Sequence, residues 1–355
     1  MSRIPTGAFT SAKEARAALP KKVAELLQDS SVVITVPVQW GDQDMYSHVN
    51  NAVYIRWFES GRIGYLDWVL GSHLNEQDYR NFIDGKLVGI VLKSVSLKYR
   101  RPVVYPDTVT IGIKLGPVNS DRFDHVCCIV SHKYEAVVAE GVATLVFFDH
   151  VTGAKAKAAP HNVVEAMLAF ERKQHTAASR VPCGGLATVE ETRSSLPEAV
   201  AKQLVNYPSL ITLPVQWGDQ DAYGHVNNVS YMRYFESGRI AYFDQVIGTR
   251  LSPKDHADFI QGKRVGPILK KASISYRRVV QYPDTLTVGV RIDPKSVGKD
   301  RFDQEFLLVS HGTGSVVADG RATVVTFDYE KGTKADIPPL ILRAFEDSQT
   351  TQQQA

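Results

Sequence analysis

The segment Pro37-Val-Gln-Trp-Gly-Asp-Gln-Asp-Met-Tyr-Ser-His-Val-Asn-Asn51 returns as Pro214-Val-Gln-Trp-Gly-Asp-Gln-Asp-Ala-Tyr-Gly-His-Val-Asn-Asn228, so whatever this chain folds into must be built twice. The offset of 177 holds through Phe58-Glu-Ser-Gly-Arg62 and Phe235-Glu-Ser-Gly-Arg239, through Tyr99-Arg-Arg101 and Tyr276-Arg-Arg278, and through Tyr105-Pro-Asp-Thr108 and Tyr282-Pro-Asp-Thr285. At Asp121-Arg-Phe-Asp124 and Asp300-Arg-Phe-Asp303 it becomes 179, which places a two-residue insertion near Lys295–Lys299. A period this long marks a duplicated domain, because stacked solenoid repeats recur every 20–50 residues or so. The register also reaches upstream, where Leu19–Leu27 matches Leu196–Leu204 as a short helix with proline near its start. We therefore expect one domain over 19–172, a polar linker over 173–195 containing Gly184-Gly185, and a second domain over 196–346.

Within each copy the pattern reads strand, irregular loop, long helix, then several strands. Val32–Trp40 is rich in β-branched residues, and Gly41–Asn51 is polar and aperiodic. From Ala52 to about Leu70, Tyr54, Ile55, Phe58, Tyr65, Leu66 and Val69 recur at helical spacing. Val88–Tyr99, Thr108–Leu115, Asp124–Tyr134 and Ala136–Phe148 then read as strands, with Tyr105-Pro-Asp-Thr108 as a turn. One long helix followed by an antiparallel run predicts an α+β layer with the sheet wrapped around the helix. Gly61 and Gly238 interrupt good helical patterns at a cost of roughly 1 kcal/mol relative to alanine. Close approach of the sheet, or a mild kink, would account for them.

Composition narrows the partners. The 355 residues carry a formal charge of +3 and no basic block that could track a nucleic-acid backbone. Arginine pairs at Arg100–Arg101 and Arg277–Arg278 suit a phosphorylated small ligand, with Arg100 and Arg277 as the expected contacts. No apolar run approaches the roughly 20 residues of a membrane-spanning helix. Three cysteines make no disulfide framework and no metal-ligand spacing, so neither a metal nor another cofactor is expected. Cys127 and Cys128, adjacent in a strand, should point to opposite faces, and Cys183 stands in the linker. The expected compartment is cytoplasmic. The alternative is mitochondrial, since Met1–Lys13 holds Arg3 and Lys13 and no acid, and any cleavable leader must end before about Leu19.

The motif Trp-Gly-Asp-Gln-Asp-x-Tyr-[Ser/Gly]-His-Val-Asn-Asn, followed by Phe-Glu-Ser-Gly-Arg, resembles the hot-dog acyl-CoA thioesterases of the 4-hydroxybenzoyl-CoA thioesterase type. Its Asp-x-Asp-x-x-x-His-Val-Asn-Asn core is also similar to plant acyl-carrier-protein thioesterases, which likewise fuse two hot-dog domains. The resemblance spans about Val32–Asp149 and Ile211–Asp328. It implies tandem hot-dog domains arranged as a pseudo-two-fold double hot-dog, and hydrolysis of an acyl-CoA or acyl-carrier-protein thioester. Homodimerisation of the chain fits the same resemblance. The alternative function is a non-catalytic acyl-thioester-binding or scaffold protein that keeps the fold. A hot-dog hydratase is disfavoured, because the Asp-x-Asn-Pro-x-His pattern of that group is missing.

By the resemblance Asp44 and Asp221 carry catalysis, attacking the carbonyl directly or activating water as a general base. The oxyanion would meet backbone N–H groups where the loop enters the helix, around Asn51 and Asn228. His48 and His225 match a histidine of the plant enzymes, and either orient substrate or serve as hydrogen-bonded structural residues. Asn50, Asn51, Asn227 and Asn228 are substrate contacts or helix caps. Asp42 and Asp219 are expected to shape the turn. Glu59 with Arg62, and Glu236 with Arg239, should pair along one helix at i, i+3. The copies differ at Ser47, where the second has Gly224. A side chain there is expected to displace Asp44 if the turn needs positive φ, leaving the first site the weaker. Tyr46 and Tyr223 replace the asparagine of the plant enzymes.

Overall fold

The computed structural model describes residues 7–10, 19–172, 179–181 and 188–353, and separates into two compact units, the first of residues 1–38 and 42–182, the second of residues 39–41 and 183–355. Cys183 and most of the candidate leader lie outside the described residues, as do 173–178 and 182–187 of the expected linker. Within the remainder of that linker, Val189–Ser194 forms a helix closed by a capping box between Thr188 and Glu191.

In the first unit the elements are α1 (Lys21–Leu26), β1 (Val32–Pro37), α2 (Asn51–Gly71), α3 (Glu76–Ile83), β2 (Val88–Tyr99), β3 (Thr108–Val118), β4 (Arg122–Ser131), β5 (Ala136–Asp149) and α4 (His161–Arg172). The sheet is antiparallel throughout, in the order β1-β3-β4-β5-β2. Its register follows from side-chain alternation. Along β4, Phe123, His125, Cys127 and Ile129 are buried while the residues between them are half-buried. Cys127 and Cys128 accordingly face opposite ways, as their adjacency requires. Burial pushes the thiol of Cys127 well up and that of Cys128 up to about 11, which makes both poor nucleophiles.

Helix α2 lies across this sheet, and two of its glycines mark close approaches, Gly64 to Ile34 on β1 and Gly61 to β3. A Cβ at Gly61 would sit 2.8 Å from Ile111 and 2.9 Å from Ile113, both on β3, so only glycine lets the helix settle there. Gly238 stands against Val288 and Val290 at 2.7 and 2.9 Å in the second unit. The helix has no broad solvent face. Tyr54, Trp57, Phe58, Tyr65, Leu66, Val69 and Leu70 are buried, and so are Ser60 and Arg62. Ile55, expected inside, is 40% exposed.

The second unit repeats the plan with the strand Ser209–Pro214, the helix Asn228–Tyr242 and the strands Val265–Tyr276, Thr285–Ile292, Arg301–Ser310 and Val316–Asp328, paired in the matching antiparallel order. The two-residue insertion falls in the 3-10 turn Pro294–Ser296. Each unit is thus a hot-dog, an antiparallel sheet carrying one long helix. Two helices per unit went unforeseen. Glu76–Ile83 and Pro253–Ile260 are eight-residue helices capped by Asn75 and Ser252. His161–Arg172 and Pro339–Gln353 close each unit. In the first, Glu171 accepts hydrogen bonds from the Tyr65 hydroxyl at 2.8 Å and the Ser31 hydroxyl at 2.6 Å. In the second, Phe345 packs edge-on to Phe302 at 4.8 Å.

Candidate active site

Both Asp-x-Asp segments fold into the same closed turn at the entrance to the long helix. The Asp44 N–H donates to the His48 carbonyl at 2.8 Å, the Ser47 N–H donates to the Asp44 carbonyl at 2.9 Å, and the Asn50 N–H donates to the Asp42 carbonyl at 2.9 Å. The second unit gives 2.8, 2.9 and 2.8 Å for the equivalent bonds of Asp221, Gly224 and Asn227. Within the turn, Oδ1 of Asp44 accepts the Tyr46 N–H at 2.9 Å, and Oδ1 of Asp221 accepts the Tyr223 N–H at 2.9 Å. This Asx-type bond fixes the orientation of each carboxylate. Among the described residues the other oxygen, Oδ2, has no partner in either unit. Both aspartates are half-buried.

Position 47 does require positive φ: Ser47 stands at 58° and Gly224 at 72°. The expected displacement of Asp44 does not follow. A Cβ at Gly224 would meet nothing within 4 Å, so the Ser47 side chain projects into open space and the turn's hydrogen bonds match those of the second unit. The cost of serine is conformational, not steric.

The remaining motif residues divide between scaffold and surface. Asn50 caps its helix, Oδ1 accepting the Ala52 N–H at 2.9 Å, and Asn227 does the same for Val229. Asn51 and Asn228 open the helices with exposed side chains. Among the described residues neither of their N–H groups has an acceptor. Asp42 and Asp219 are buried, and Asp219 Oδ2 accepts from the Tyr234 hydroxyl and the Gln216 N–H, each at 2.9 Å. That is the turn-forming role expected of the first aspartate. His48 is exposed and His225 half-buried, and neither imidazole has a hydrogen-bond partner among the described residues.

The turn is also tied sideways. The Val49 N–H donates to the Val103 carbonyl and the Val226 N–H to the Val280 carbonyl, both at 2.8 Å. These bonds bring the segment after each arginine pair beside the His-Val-Asn run. Arg100 is ion-paired with Glu140 on the neighbouring strand, and Arg277 with Asp319. Of the two helix pairs, Glu236 and Arg239 meet at 3.5 Å, whereas Glu59 and Arg62 do not reach ion-pair distance. Burial lowers the pKa of Arg62, Glu59 opposes that only through its field, and the Arg62 Nε has no hydrogen-bond partner among the described residues. Sequence reasoning missed a latch: the Tyr99 hydroxyl donates to the Asn51 carbonyl at 3.2 Å and that of Tyr276 to Asn228 at 3.3 Å. The repeated tyrosine before each arginine pair was its only signal.

Two stretches of the chain, residues 38–204 and 215–345, match the family model of the Thioesterase-like superfamily. The long-chain acyl-CoA thioesterase FadM of Escherichia coli (strain K12) is 29% identical over 106 residues, 30% of this chain and 74% of that protein. Among solved structures, a thioesterase complexed with coenzyme A and Zn from Thermus thermophilus is 26% identical with a TM-score of 0.34, covering 40% of this chain and 95% of its own. A 1,4-dihydroxy-2-naphthoyl-CoA thioesterase from Synechocystis is 18% identical with a TM-score of 0.34, covering 39% and 96%. With most of both units matched by one family model, and the same carboxylate turn at the mouth of each long helix, the chain belongs to the Thioesterase-like superfamily and is a thioester hydrolase of two tandem hot-dog units.

Proposed function

We propose that the chain hydrolyses acyl-CoA thioesters, with Asp44 and Asp221 as the reacting carboxylates. The observation that carries this is the duplicated turn, which pins one carboxylate oxygen by an N–H bond and leaves the other without a partner beside the helix entrance. The acyl-CoA thioesterase among its relatives supports the choice of carrier. Hydrolysis needs an attacking oxygen and a receiver for the oxyanion. The carboxylate supplies the first, by direct attack to give a mixed anhydride or by taking a proton from water. The backbone N–H of Asn51 or Asn228, at the positive end of a long helix, supplies the second. Each helix start is capped by its own asparagine, so a receiving group there needs little rearrangement as charge develops. The imidazoles of His48 and His225 orient the thioester. The unpaired thiols of Cys127 and Cys128 suit a reducing compartment, and we place the protein in the cytoplasm.

The test is turnover of Asp44→Asn, Asp221→Asn and the double variant on an acyl-CoA panel, read by free-thiol release. Asparagine is nearly isosteric and keeps an oxygen for the turn's N–H bond, but it neither attacks nor accepts the proton. Because the two turns share one geometry, each single change should remove about half the activity. The double variant should fall by roughly 100-fold or more. Full activity in a folded double variant would sink the assignment.

A further inference from the structure

The arginine pairs hold a division of labour that repeats in both units. The N–H groups of Arg100 and Arg101 converge on the single carbonyl of Val138, at 2.8 and 3.3 Å, and those of Arg277 and Arg278 on Val317, at 2.8 and 3.1 Å. Two residues opposing one is where a strand bends. The first arginine stays over the sheet, where Glu140 or Asp319 neutralises it. The second is exposed and has no carboxylate partner among the described residues. Arg101 instead lies over the Tyr134 ring at 4.6 Å, which holds the side chain while leaving its charge uncompensated. Arg278 has Thr313 where Tyr134 would be, and likewise has no carboxylate partner among the described residues.

The backbone beside each second arginine is tied to the entrance of the long helix. The Arg101 carbonyl accepts from the hydroxyl of Tyr54, in the first turn of its helix, at 3.5 Å. Two residues on, Val103 and Val280 bind the His-Val-Asn run directly.

On the proposed thioester hydrolysis, we infer that Arg101 and Arg278, not their ion-paired neighbours, hold the phosphate at the far end of the pantetheine arm. A guanidinium fork matches a phosphate in two parallel hydrogen bonds, and an unneutralised one on a near-neutral protein is a local anion site. Coenzyme A and acyl carrier proteins present this same phosphate, so the recognition is of the arm and not of the nucleotide.

The experiment compares the full chain with Arg101→Gln/Arg278→Gln on one acyl group carried by coenzyme A, by 4′-phosphopantetheine and by pantetheine without phosphate, with folding checked by thermal melting. The KM for the two phosphorylated carriers should rise about tenfold with kcat little changed, and the pantetheine thioester should be unaffected. Arg101→Lys/Arg278→Lys, which keeps the charge but loses the fork, should recover part of the loss. The same acyl group on an acyl carrier protein tells the two sources apart, since the rise will appear with whichever carrier the unmodified protein turns over. An equal rise with the unphosphorylated thioester would make these arginines structural. A rise with coenzyme A alone would move the contact to the nucleotide, and unchanged KM values would dismiss it. If the unmodified protein hydrolyses none of the three, the proposed function itself falls.

Discussion

Ser47 shows how much one residue can be asked to do against its preference. It holds a left-handed φ of 58° in a turn where its counterpart is glycine, and its neighbours do not crowd it. Ser47→Gly should therefore stabilise the first unit by about 1 kcal/mol, seen in denaturant unfolding, with turnover unchanged. A rise in turnover without a gain in stability would mean that the serine does displace Asp44. The reactive aspartates were legible in the sequence because the turn, the cap and the helix that use them are contiguous. What the sequence hid was pairing at a distance. Nothing in Arg100 or Arg277 announces Glu140 or Asp319, 40 and 42 residues downstream, because that pairing exists only once the strands are in register. The Glu59–Arg62 spacing looked like a salt bridge, yet helical spacing fixes only which side chains are neighbours, and burial of Arg62 then turned it inward.

At the level of elements, strands were easier to read than short helices. Val88–Tyr99 appears over the expected residues, and the other strands shifted by a few at their ends, because period-two alternation is dense in each. Glu76–Ile83 and Pro253–Ile260 are too short for periodicity to stand out, although Ser252-Pro253 followed by Asp255 is a cap signature, with the Ser252 hydroxyl accepting the Asp255 N–H at 3.1 Å. The contact between the long helix and β3 at Gly61 is a close inter-element joint. Gly61→Ala should destabilise the protein by about 1–3 kcal/mol, because a methyl at 2.8 Å from Ile111 forces a well-packed pair apart. The thermal midpoint measures this, and an unchanged midpoint would mean that the helix slides freely on the sheet.

Over the whole molecule, acid sensitivity is written into one buried histidine, His125, and two half-buried ones, His132 and His311. Burial pushes His125 down to about 3 and His132 and His311 down to about 4, from 6.5. The unfolded chain therefore takes up these protons first. The stability these groups contribute is present in full above pH 6.5 and drains as pH falls toward 4, by at most about 1.4 kcal/mol per pH unit for each. His125→Gln should flatten the fall in melting temperature across that window, since Gln304 occupies the matching buried position in the second unit. Parallel melting curves for the two proteins would dismiss His125 as a contributor. The duplicated carboxylate turn has a consequence of a different kind. An assembly of identical subunits repeats every substitution by symmetry, whereas one gene encoding both turns delivers them in fixed one-to-one dose and lets each mutate alone. Ser47 against Gly224, Trp57 against Tyr234 and His125 against Gln304 record that separate drift. One turn is free to be retuned toward a new acyl group while the other goes on serving the old one.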